Sequence, residues 1–88
     1  MEERFQSFEQ LFETMTRGNE VVFEWEGRRY CLFAHFTGDR ITGYLIGAAM
    51  SEGDLDLCRS ADELSRYRIG DRDFREIVPY MTIIERTI

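Results

Sequence analysis

The chain has 88 residues, about one small domain by the usual prior of roughly 100–200 residues per domain, and its 43% hydrophobic and 14% aromatic content supplies material for a core. Its 17 acidic residues outnumber 11 basic ones, all of them Arg, for a net charge of −6; that balance argues against duplex nucleic acid as a direct ligand. No apolar run approaches the roughly 18 residues of a membrane span, and Met1-Glu2-Glu3-Arg4-Phe5 lacks the basic-then-apolar order of a signal peptide, so a soluble, cytoplasmic protein is expected.

Phe5, Phe8, Leu11, Phe12 and Met15 recur at spacings of three and four, the apolar face of an amphipathic helix running to about residue 17. Ser7 and Gln10 form a capping-box pair that starts it at residue 8, a start near Glu2 being the alternative, and Gly18 supplies the stop. From Glu20 the period becomes two: Val21, Phe23 and Trp25 alternate with Val22, Glu24 and Glu26. A Gly27-Arg28 hairpin loop would set Trp25 opposite Tyr30, Phe23 opposite Leu32, Val21 opposite Ala34 and Glu26 against Arg29. A second turn at Gly38-Asp39 continues the meander, with Phe36 opposite Ile41 and Leu32 opposite Leu45, giving a third strand over 40–47. The other face then collects Val22, Cys31, Phe33, Tyr44 and Ile46 beside Glu24, His35 and Thr42, too apolar to be left wet. Either the C-terminal elements or a partner must cover it.

Residues 47–54 read as a connection and Leu55-Asp56-Leu57-Cys58 as a short fourth strand. Ser60 with Glu63 is a capping box for a short helix to about Tyr67; Ile69-Gly70-Asp71 is a turn; Asp71 caps a second short helix carrying Phe74, Ile77 and Val78 before Pro79. The β-branched tail Met81 to Ile88 is a last strand. The expected fold is α+β: an N-terminal helix packed on an antiparallel β-meander, then two short helices and a C-terminal strand, all in one domain over 1–88.

Catalytic chemistry finds little footing. Cys31 and Cys58, the only cysteines, have no metal-ligand spacing and read as free thiols. The single histidine, His35, is about 13 Å along a straight strand from Cys31, too far for a thiolate–imidazolium pair. Gly38, Gly43 and Gly47 do not form a dinucleotide fingerprint, and there is no Lys for a P-loop. The run Glu52, Asp54, Asp56 departs from an EF-hand at Leu57 and Cys58, which leaves a small metal-dependent enzyme only as an alternative. Arg28-Arg29 beside Trp25 and Tyr30 is a combination that can clamp single-stranded nucleic acid, although hairpin ion pairs with the neighbouring glutamates account for it better. No enzyme activity and no cofactor are expected.

Charge is segregated. Residues 1–26 hold seven acids against two arginines and residues 51–63 hold five against one. Acidic patches of this kind steer a protein onto a basic surface. The residues expected to carry partner binding are Glu9, Glu13, Glu24, Asp54 and Asp56 for charge, with Phe33 and Tyr44 as apolar anchors.

The stretch Gly18-Asn19-Glu20-Val21-Val22-Phe23-Glu24-Trp25-Glu26-Gly27-Arg28-Arg29-Tyr30, the Ser60-x-x-Glu63-Leu64 helix start and the Ile69-Gly70-Asp71 turn before Phe74 resemble small acidic α+β proteins of bacterial phages and integrative elements. That group includes inhibitors of host defence, such as anti-CRISPR proteins, and immunity proteins that neutralise toxins. The resemblance implies a protein-binding inhibitor of a basic, nucleic-acid-handling host protein; an immunity or antitoxin protein covering a toxin's active site is the alternative. A homodimer through the second sheet face is a further expectation, and neither direct nucleic-acid nor membrane binding is expected.

Overall fold

Both of the longer capping signals work, with the same variation. In a computed structural model that describes residues 4–49 and 55–86, helix α1 (Phe8–Met15) opens at Ser7, whose Oγ accepts from the Gln10 amide at 3.2 Å. Helix α2 (Ala61–Ser65) opens at Ser60, whose Oγ accepts from the Glu63 amide at 3.1 Å. The reciprocal bond goes to the residue before each cap rather than to the cap: the Gln6 amide donates to Gln10 Oε1, and the Arg59 amide to Glu63 Oε2, each at 2.6 Å. Each box still satisfies two N-terminal amides. Helix α1 therefore starts at Phe8, and it ends into Gly18, whose φ of +80° favours glycine. A Cβ there would also meet the Phe36 ring at 3.0 Å.

Among the described residues seven strands follow in chain order: β1 (Val21–Trp25), β2 (Arg28–Thr37), β3 (Arg40–Ala48), β4 (Asp56–Cys58), β5 (Arg68–Ile69), β6 (Arg72–Asp73) and β7 (Thr82–Arg86). Helix α3 (Phe74–Ile77) lies between the last two. The protein is α+β; its described residues form one antiparallel five-stranded sheet in the order β4-β3-β2-β1-β7, a two-stranded β5-β6 ribbon and three helices.

The first hairpin differs from the expected register. Trp25 pairs with Arg28, Phe23 with Tyr30 and Val21 with Leu32, so the loop is Glu26-Gly27, not Gly27-Arg28. Both loop residues have positive φ, 51° and 78°, as the primed turns favoured by hairpin twist demand. Glu26 pays for this as a non-glycine residue, which is why the sequence disguised the turn. Because the slip is two residues, the faces survive: Val21, Phe23, Leu32 and Ala34 all turn inward and are buried. Glu24, not Glu26, is the residue opposite Arg29, with its carboxylate 3.8 Å from the guanidinium.

The second hairpin starts as expected, Thr37 with Arg40 and Phe36 with Ile41, and then a β-bulge shifts it by one residue so that His35 pairs with Gly43 and Leu32 with Ile46. Thr42 is the extra residue; its Oγ1 lies 2.9 Å from Thr37 Oγ1. The shift exchanges the faces of β3. Tyr44 and Ile46 enter the core, 8% and 0% exposed, and Leu45 turns outward, reversing their expected sides. The physical reason lies in the pattern itself: Ile41, Tyr44 and Ile46 all pack on the core, and spacings of three then two are compatible only if one residue is looped out.

The helices share one side of the sheet. Phe74 of α3 packs on Phe23 of β1 with ring centroids 5.5 Å apart and on Phe8 of α1 at 6.2 Å, and Phe12 meets Tyr44 edge-on at 5.1 Å. Leu11, Met15, Leu64, Ile77 and Val78 complete this core, fully buried. The N-cap of α3 is Asp73 rather than Asp71; its side chain makes no cap bond but forms ion pairs with Arg68 at 3.1 Å and Arg75 at 3.7 Å. The last strand pairs antiparallel with β1, with its own irregularity at Ile84.

Candidate protein-binding groove

Three residues along a helix turn about 300°, so the pair Phe8/Phe12 lies about 60° around α1 from Leu11/Met15. Leu11 and Met15 are buried beneath the helix, whereas Phe8 and Phe12, stacked on each other at 5.8 Å, are only half-buried. The apolar arc is wider than the sheet can cover. Its free flank and Ala61 of α2 form the floor of a groove of about 580 Å³, whose lip carries Glu9, Glu13 and Asp62, with Arg75 at one side. Glu13 is paired with Arg17 at 3.2 Å and Asp62 with Arg66, both i,i+4 and well exposed. Neither arginine lines the groove, and Glu9 has no ion pair among the described residues. Exposed pairs of this kind contribute about 0–1 kcal/mol, so a cation arriving at the lip displaces its partner cheaply.

The residues expected to bind a partner do not converge. Glu9 and Glu13 belong to this groove; Glu24 and Phe33 stand on the outward face of the sheet, Glu24 engaged with Arg29. Tyr44 is no surface anchor: it lies in the core against Phe12, and burial pushes its hydroxyl pKa up. Asp56 accepts the Tyr67 hydroxyl at 2.5 Å on the helix side of the sheet. Asp54 and Glu52 lie outside the described residues. Phe8, Phe12 and Asp62 were not anticipated as a site; the signal available was the width of the apolar arc of α1.

Other candidate chemistry separates similarly. Arg28 and Arg29 project to opposite faces of β2, Arg29 toward Glu24 and Arg28 toward a polar cleft of about 350 Å³ beside Trp25 and Tyr30, so the doublet forms no common clamp. Among the described residues no group of three or more His, Cys, Asp and Glu side chains is placed to hold a metal ion, and no helix is long and apolar enough to cross a membrane. Cys31 is half-buried and Cys58 buried, both free thiols; burial, then Glu63 and Asp56, push the Cys58 thiol pKa up. Comparison with protein-family models, with curated proteins and with solved structures gives no match.

Proposed function

We propose that this protein is a non-enzymatic protein-binding inhibitor of the phage or mobile-element kind, which occupies a basic, nucleic-acid-handling surface of a host protein. The observation that supports this reading is the α1–α2 groove, an apolar floor of Phe8, Phe12 and Ala61 under a carboxylate lip. Apolar anchors from a partner gain by leaving water on such a floor, while Glu9, Glu13 and Asp62 select for arginine and lysine around them. An acidic chain of net charge −6 adds long-range attraction to a basic target and speeds encounter.

The test is capture from a bacterial lysate on the tagged protein and on its Glu9→Lys/Glu13→Lys variant, at low and at high salt, followed by identification of the bound protein and competition with its nucleic acid. The expected outcome is a nucleic-acid-handling partner held by the parent protein, released by salt, and associating about tenfold or more slowly with the variant. A partner bound equally by both proteins at both salt concentrations overturns the reading.

A further inference from the structure

The three helices leave the other face of the sheet without a covering element among the described residues. Its pairings set two apolar rows across the strands, Val22 beside Cys31 and Gly47, and Phe33 beside Leu45 and Leu57. None of Val22, Cys31, Phe33, Leu45 or Leu57 packs against the main core, and Leu57 is 42% exposed, its Cδ1 lying over Gly43.

Charge on this face is divided along a diagonal. At the edge made by β1 and β7 stand Glu85, beside Val22, and Glu24, the latter already paired at 3.8 Å with Arg29 of the same face. At the opposite corner, made by β3 and the second hairpin turn, stands Arg40, opposite Thr37. We propose that this face is a self-association surface on which a second copy of the chain stacks sheet to sheet about a two-fold axis.

The axis that lies in the interface and runs across the acid-to-base diagonal brings each copy's Glu85 toward the other's Arg40. An axis along that diagonal would instead place acids over acids. The favoured arrangement crosses the strands of the two copies steeply, in the near-orthogonal class of sheet packing. It is isologous, so each contact is made twice. The 32 strand residues of the sheet, at about 3.3 Å each in strands about 4.8 Å apart, present roughly 500 Å² per copy and roughly 1,000 Å² in the pair, at the threshold for a specific interface. A weak, concentration-dependent dimer follows. The surface is distinct from the α1–α2 groove, which stays open in the dimer.

Sedimentation velocity of the full chain across a concentration series tests this. The expected result is a mass rising from 10.5 kDa toward twice that value. Phe33→Glu and Leu45→Glu should each hold the protein at monomer mass. Because these positions are half-buried, the exposed charges carry the test if either variant fails to fold: Glu85→Arg and Arg40→Glu should each weaken self-association about tenfold, and the double reversal should recover most of that loss. A parent protein that stays monomeric throughout overturns the proposal, as does a dimer indifferent to all four substitutions.

Discussion

The Tyr67 hydroxyl donates to the Asp56 carboxylate at 2.5 Å, joining the segment that leaves α2 to the edge strand β4 beside the buried Cys58. Burial, and then the bond and charge of Asp56, push the Tyr67 pKa far above the usual tyrosine value. Asp56 is thereby a fastener for an edge strand of three residues and not a free carboxylate.

The alkaline limb of stability follows from this pair. In the unfolded chain the Tyr67 phenol ionises near pH 10, whereas the folded protein keeps the proton to higher pH. Its contribution is therefore whole below pH 10 and is lost as pH rises toward the folded value, since unfolding then releases a proton. Tyr44, raised by burial, acts with the same sign. Tyr67→Phe should cost about 1 kcal/mol at neutral pH for the lost bond and flatten the decline above pH 10. Urea titrations at a series of pH values check both, and an alkaline limb unchanged in Tyr67→Phe would assign it elsewhere.

The first hairpin turn can be improved. Glu26 holds a φ of 51°, a conformation that costs a non-glycine residue about 1 kcal/mol, and asparagine tolerates it better. Glu26→Asn should raise stability by about 0.5–1 kcal/mol and the melting temperature by several degrees for a domain of this size. Gly27→Ala, at φ 78°, should lower stability by about 1 kcal/mol or more. Calorimetric melting of the two variants checks the opposite signs; two losses of equal size would mean that the loop conformation differs from the one described.

How far the sequence was legible depended on whether a signal was local. Ser7 and Ser60 marked their helices because a cap is decided within four residues. The inward side of Val21, Phe23 and Leu32 was legible because alternation survives a two-residue slip, but the loop was not, since Glu26-Gly27 lacks the usual asparagine or aspartate. Thr42 was missed because strict alternation assumes no bulge, and the error moved Tyr44 and Leu45 to each other's sides. Asp73 was passed over for Asp71 because the Arg68-Ile69/Arg72-Asp73 ribbon occupies the intervening residues. The wide apolar arc of α1 was legible in its spacing, but the position of α2 beside Phe8 and Phe12, which completes the groove, is a long-range relationship that no spacing within α1 encodes.

Phe74 is the residue on which the three layers of aromatic contact meet, fully buried between Phe8 and Phe23. Removing its ring should cost about 3–5 kcal/mol, a large share of the roughly 5–15 kcal/mol that stabilises a small domain. Phe74→Leu keeps most of the volume and should cost about half as much or less. Denaturant midpoints of the two variants check this order. Near-equal losses would show that ring geometry matters more here than the volume removed.

The edge strand β4 is held as tightly by what Gly43 lacks as by its own hydrogen bonds. A Cβ on Gly43 would stand 2.8 Å from Leu57 Cδ1 and 3.0 Å from the Cys58 carbonyl oxygen. The leucine methyl can swing aside, but the carbonyl belongs to the backbone that pairs with Tyr44, so β4 itself must move. Gly43→Ala should therefore cost about 1–3 kcal/mol and speed amide exchange along the Tyr44–Cys58 and Ile46–Asp56 pairings while leaving β1–β2 protected. Trimming the movable partner separates the two clashes: in Gly43→Ala/Leu57→Ala the alanine should be tolerated better than in the parent background, yet the carbonyl contact should preserve part of the penalty. Full relief would identify Leu57 as the whole obstacle, and no relief would identify the backbone.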